Sequence, residues 1–171
     1  MKYKAPLGWY YVALAGSLAL LAIAYFYFQQ YKGLFPCPLC MLQRACLVAI
    51  ALVALIGIVH RPGIVGHYVY ATMVCLAGVT GSIIAGRQTW LQHLPKDQVP
   101  ECGFDPIYRW SQSDGSYGFF DMLATTLKGS GDCAEVDWTL FSFSMAEWML
   151  AIFIVITAIA AYLIYQPKLN R

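Results

Sequence analysis

Four stretches of this chain are almost free of charge, and each is long enough to cross a bilayer. Residues 7–28 hold no charged side chain, residues 37–59 hold only Arg44, and residues 68–86 and 148–165 hold none. Roughly 20 apolar residues in a helix span the hydrocarbon layer. A backbone in lipid must satisfy its own N–H and C=O groups, which helices do and open strands do not. The alternation of a barrel strand is missing. Composition agrees: 60% of the 171 residues are hydrophobic and 12% charged, about half the charge of a soluble domain. The chain reads as a single all-α membrane domain over residues 1–171. It is a bundle of four transmembrane helices at approximately 7–28, 39–59, 67–87 and 146–165, joined outside the cytoplasm by loops 29–38 and 88–145. Lys2 and Lys4 precede the first run as they would a signal peptide. That run is too long for one, ends in Tyr25–Phe28, and lacks a small-residue cleavage site. It is expected to remain as a helix.

Charge sets the orientation. The terminal segments and the short middle loop carry Lys2, Lys4, Arg61, Lys168 and Arg171, with no acidic residue. All nine acidic residues lie between Asp97 and Glu147. Short cationic segments stay in the cytoplasm, so both termini are expected inside and both cysteine-bearing loops outside. Aromatics mark the interfaces, with Trp9, Tyr10 and Tyr11 at one and Tyr25–Phe28 and Trp148 at the other. Within residues 117–127 of the long loop, Phe119, Phe120, Leu123 and Leu127 share one helical face, opposite Asp121, Thr125 and Lys128. The pattern predicts a short helix, lying in the headgroup region or packed as an ordinary loop helix.

Six cysteines remain to be explained. Cys37-Pro38-Leu39-Cys40 has the spacing of a thioredoxin-like redox centre and sits where the first outer loop becomes helix 2. Proline suits the first turn, where its missing N–H costs nothing. A helix N-terminus favours nearby anions and hence a thiolate. The competing readings are a static disulfide or half of a metal site. A metal site needs two further ligands, and of His60, His67 and His93 the first two are expected at the opposite face, so no metal is expected. Arg44 lies four residues after Cys40, on the same helix face. A cation inside the apolar layer is a functional hypothesis by default. It is placed to stabilise a Cys40 thiolate or the charge growing on a quinone oxygen; the alternative is snorkelling to headgroups.

Cys102 and Cys133 stand alone in the long loop. A structural bridge between them would stabilise by roughly 3–4 kcal/mol through loop entropy. Against that reading, the Gly129-Ser130-Gly131-Asp132 lead-in suggests mobility suited to exchange with a second redox pair. Cys46 and Cys75, inside helices, read as small core hydrophobes. His93, following helix 3, is either a hydrogen-bond donor to a quinone carbonyl or a solvated interfacial residue.

Taken together these features resemble the DsbB family of bacterial quinone-dependent thiol oxidases. The likeness covers nearly the whole chain. It rests on four spans, the Cys37–Cys40 motif, Arg44, Gly86-Arg87-Gln88 leading to His93, Gly131-Asp132-Cys133-Ala134-Glu135, and Met145-Ala146-Glu147-Trp148. The resemblance implies an oxidoreductase of the bacterial inner membrane whose partner is a periplasmic DsbA-like thioredoxin-fold oxidase. It implies ubiquinone or menaquinone from the lipid-borne quinone pool as acceptor, and no nucleic acid. It further implies that Cys102 receives the partner's thiol, Cys133 attacks Cys37, and Cys40 faces the quinone with Arg44 and His93 nearby. Cys46 and Cys75 are additions to this pattern. Two alternatives stand beside it. A tetraspan scaffold would keep its disulfides static. An enzyme resembling vitamin K epoxide reductase would have its loop pair ahead of the membrane CxxC, whereas here the CxxC comes first.

Overall fold

A computed structural model describes residues 7–34, 36–95, 118–129, 131–136 and 138–169. Helix α1 (Leu7–Ala22) continues as a π-helical segment (Ile23–Tyr31). It is followed by α2 (Pro38–His60), α3 (Ile64–Gln92), a short α4 (Phe119–Lys128), a two-stranded hairpin of β1 (Thr139–Leu140) and β2 (Phe143–Ser144), and α5 (Met145–Leu169). Among the described residues four helices are long and apolar enough to cross a membrane: Leu7–Tyr31, Pro38–His60, Ile64–Gln92 and Met145–Tyr165. Val12, Leu52, Val59, Leu76, Ile83 and Val155 all point outward, which suits lipid and would be a liability in water.

The helix ends are set locally. Cys37 is the N-cap of α2 in an extended conformation, with Pro38 in the first turn, and its sulfur accepts the Cys40 N–H at 3.4 Å. Arg61 closes α2 in the left-handed region at φ 46°, returning its N–H to the Gly57 carbonyl. At the start of α5 the Ser144 hydroxyl accepts the Glu147 N–H (3.3 Å) while the Glu147 carboxylate accepts the Ser144 N–H (2.6 Å). This reciprocal cap satisfies two otherwise orphaned donors.

Packing runs α1 on α2, α2 on α3, and α3 on α5. Without a hydrophobic drive between helices in lipid, close contact depends on small residues. Gly81 supplies it here: a Cβ at that position would run into the Phe153 ring, which is fully buried with Leu47, Ile50 and Ala85. Near the terminal end, the Tyr10 hydroxyl meets Nδ1 of buried His67 at 3.0 Å, tying α1 to α3. Helices α1 and α5 pack together only sparsely, and the seam between them opens into cavities shared with α2.

Three features differ from the sequence reading. Helix α3 runs past residue 87 to Gln92, so residues 88–92 are helical and not loop. A helix is not obliged to stop where lipid does, and this one continues to its His93 cap, two residues before Pro95. The π-helical segment was not anticipated, because its one-residue widening has no composition signal. The hairpin turns through Phe141 (φ 53°) and Ser142 (φ 69°), positions where such a turn ordinarily has Asn or Gly. The expected loop helix is present as α4, with Phe120 82% exposed and Thr126 buried.

Candidate functional site

The cysteine end of the bundle has its own small core: Cys37, Leu39, Ile84, Leu91 and Cys133, with Cys40 and Cys46 packed against it. Cys133 ends a 3-10 turn (Gly131–Cys133) and is fully buried. Its side chain is hydrogen-bonded to Cys37. The Cys37 and Cys40 sulfurs lie 2.8 Å apart, and no disulfide joins the described cysteines. Three sulfurs from two distant segments therefore meet at one point. Cys102 lies outside the described residues. The lead-in glycine Gly129 (φ 79°) serves close packing in this arrangement: a Cβ there would strike the Leu91 side chain and touch Leu39. Hydrogen bonding of the Cys37 S–H to Cys133 and to Cys40, together with burial, pushes the Cys37 thiol above its ordinary range.

Beneath the sulfurs sit two amides: Gln43, which sequence reasoning passed over, and Gln88, which it named only as part of the motif leading to His93. Gln43 and Gln88 are 3% and 5% exposed. Gln43 Nε2 donates to Gln88 Oε1 at 2.7 Å. Gln88 Nε2 in turn lies 3.3 Å from the Cys40 sulfur and 3.5 Å from that of Cys37. A signal was available, since an uncharged polar residue within or at the edge of an apolar run usually faces the bundle interior.

Arg44 turns toward the first helix. Nη1 donates to Gln29 Oε1 at 2.7 Å and Nη2 to the Ala24 carbonyl at 3.2 Å. Both acceptors belong to the π-helical segment. Cys40, Gln43 and Arg44 line a cavity of about 360 Å³ between α1, α2 and α5. Its remaining wall is almost wholly apolar and aromatic, with Phe28, Trp138, Leu140 and Trp148 at the cysteine end. The Trp138 ring meets Phe28 edge-on at 5.1 Å, and Trp148 Nε1 donates to the Leu140 carbonyl at 3.2 Å. The hairpin thus roofs the cavity.

His93 is not brought to this cavity. It caps α3, with Nδ1 against the Thr89 carbonyl (2.8 Å) and Nε2 3.8 Å from Glu147, and its side chain is 67% exposed. It lines a separate groove with Gly86, Trp90 and Leu150. Five residues at about 100° each turn it roughly 140° away from Gln88, which faces the sulfurs. Cys46 and Cys75 are half-buried in the helices, and among the described residues no three His, Cys, Asp or Glu side chains gather as a metal site would need.

The sequence profile described as "Disulfide bond formation protein DsbB" matches residues 7–163. The chain belongs to the DsbB family. Among DsbB-family relatives, disulfide bond formation protein B of Stutzerimonas stutzeri is 38% identical over 154 residues, covering 90% of this chain and 91% of that protein. The protein of the same name from Methylococcus capsulatus is 43% identical over 136 residues, 80% of each. Disulfide bond formation protein B 1 of Pseudomonas aeruginosa is 34% identical over 154 residues, covering 90% and 91%. As a DsbB-family member with four spanning helices, this is a multi-pass membrane protein of disulfide bond formation.

Proposed function

We propose that this protein is a thiol:quinone oxidoreductase that reoxidises a periplasmic DsbA-like thioredoxin-fold dithiol oxidase and delivers the electrons to a membrane quinone. The observation that carries the reading is the order of groups. Cys133 is hydrogen-bonded to Cys37 and packed with it in one buried core, Cys37 adjoins Cys40, and Cys40 lies on the wall of the cavity that holds Arg44. Exchange proceeds when a thiolate reaches a disulfide sulfur, and Cys133 and Cys37 already touch. The cationic terminal segments support a cytoplasmic position for both termini and a periplasmic one for the cysteines.

A partner thiolate attacks Cys102 of a Cys102–Cys133 disulfide, and Cys133 leaves as a thiolate. Cys133 attacks Cys37 of the Cys37–Cys40 disulfide, and Cys40 leaves with the electron pair. The partner's second thiol resolves the mixed disulfide at Cys102, and the partner departs oxidised. Cys102 then closes on Cys133 and releases Cys37. Cys37 and Cys40 are left reduced, and their reoxidation gives up two electrons and two protons. A bound quinone supplies the two-electron, two-proton acceptor. The cavity suits such a molecule: about 360 Å³ falls within the range of ligand sites, and its walls are apolar. A guanidinium has five N–H donors, of which Gln29 and Ala24 engage two, leaving Arg44 donors for a carbonyl oxygen.

The test is turnover of reduced partner by protein reconstituted with ubiquinone or menaquinone. Cys37→Ser and Cys40→Ser are each expected to abolish it. Retained quinone-dependent turnover in either variant would overturn the reading.

A further inference from the structure

A buried amide is costly unless its donors and acceptor are used. The Gln88 carboxamide is oriented by its neighbour: Gln43 Nε2 donates to Gln88 Oε1 at 2.7 Å, which leaves the Gln88 NH₂ group facing the sulfurs at 3.3 and 3.5 Å. Thiol sulfur is a weak acceptor, so in the dithiol state this buried donor is poorly matched. A sulfur anion is a strong one. In the dithiol state the Cys40 S–H has its own outlet, the Gln88 oxygen at 3.6 Å. One amide therefore serves both protonation states, and its N–H side is complementary to the charged one.

We propose that Gln88 is a catalytic residue of the thiol pair, donating to the anion that forms on Cys40 when the Cys37–Cys40 disulfide opens, and that Gln43 is the positioning residue that holds the Gln88 amide in this orientation. The inference rests on the proposed exchange at Cys37. In that step the Cys37–Cys40 bond breaks, a Cys37–Cys133 bond forms, and the electron pair stays on Cys40 without a proton. The Gln88 N–H is within reach before the charge appears, so little reorganisation is needed. Arg44 is bonded to the first helix and lies on the cavity side; Gln88 approaches from α3. The leaving sulfur thus has a neutral donor from α3 and shares a cavity wall with the Arg44 cation.

The experiment is equilibration of purified protein in glutathione redox buffers, with the Cys37–Cys40 state read by alkylation and mass spectrometry. It uses neither quinone nor partner, so its failure is distinguishable from failure of the electron path. Gln88→Met removes the donor at similar volume. The double variant Gln43→Met with Gln88→Met removes both amides and orphans only the weak Cys40 S–H donor, a change that is nearly neutral for folding. A lost hydrogen bond to a charged group predicts a shift of about tenfold or more toward the disulfide in both variants. The shift should shrink at acid pH, where the reduced pair is fully protonated. Gln43→Met alone should give a smaller shift, since the amide is then free to flip. A wild-type equilibrium in the folded double variant, or a shift that does not depend on pH, would reduce the pair to a structural tie between α2 and α3 and overturn the proposal.

Discussion

Replacing Arg44 by alanine separates what the guanidinium does for the fold from what it does for the acceptor. In the folded protein it donates to Gln29 and to the Ala24 carbonyl. Hydrogen bonds between membrane helices average about 0.6 kcal/mol each, so their loss destabilises by about 1 kcal/mol. In the other direction, an arginine at mid-bilayer costs some 2.5–3.5 kcal/mol on insertion scales, and less near the interface. Residue 44 is in the second turn of α2, so only part of that cost is relieved. The two effects oppose, and the net change in stability is within about 2 kcal/mol of zero. The acceptor side has no such offset. A hydrogen bond to a charged group contributes about 1.5–3 kcal/mol, which is about 10- to 150-fold in kcat/KM for quinone. The assay is the quinone dependence of partner oxidation in proteoliposomes, with unfolding followed in parallel. A folded Arg44→Ala variant with unchanged kcat/KM for quinone would refute the assignment of the cavity between α1, α2 and α5 as the acceptor site.

Further outcomes follow from the same geometry. In Cys40→Ser the unpaired Cys37 thiolate can attack Cys133 of a Cys102–Cys133 disulfide, with Cys102 leaving as the thiolate, so a Cys37–Cys133 disulfide should accumulate; peptide mass spectrometry that finds no such link would break the order of sulfurs. Gly81→Ala forces the Phe153 ring aside and should destabilise by about 1–3 kcal/mol, read by denaturant titration in detergent; a neutral result would show that α3 and α5 can separate freely. The raised folded pKa of Cys37 means that its contribution is complete below the unfolded thiol pKa and is lost as pH climbs above it. Reduced protein should therefore weaken above about pH 8.5 more than Cys37→Ser does, and equal slopes would contradict the buried, hydrogen-bonded thiol. Replacing Cys46 or Cys75 by alanine should leave turnover nearly intact, and a loss would assign those thiols a part in the chemistry.

The spans were legible because absence of charge is a one-dimensional signal: Arg44 is the single exception in residues 37–59, and its isolation marked it. The thiol motif was legible for a similar reason, since spacing and a first-turn proline define a helix N-terminus locally. What was not legible depends on rotation about the helix axis. His93 and Gln88 are five residues apart in a segment read as loop, and only a continuous helix makes them face different sides. Gln43 stood next to Arg44 and was masked by it, although the two project differently, one to α3 and one to the first helix. The π-helical segment has no mark in Ile23–Tyr31; it holds both acceptors that meet Arg44. The glycines before Cys133 suggested mobility, whereas Gly129 is needed here for its lack of a side chain against Leu91.

The most direct test of the electron path is anaerobic stopped-flow absorbance of purified, quinone-loaded protein mixed with a reduced thioredoxin-fold partner, with partner oxidation and quinone reduction followed together. The path through Cys133, Cys37 and Cys40 predicts coupled, near-stoichiometric changes that vanish in Cys40→Ser. Partner oxidation without quinone reduction would contradict it, because the cysteine pairs would then only exchange disulfides.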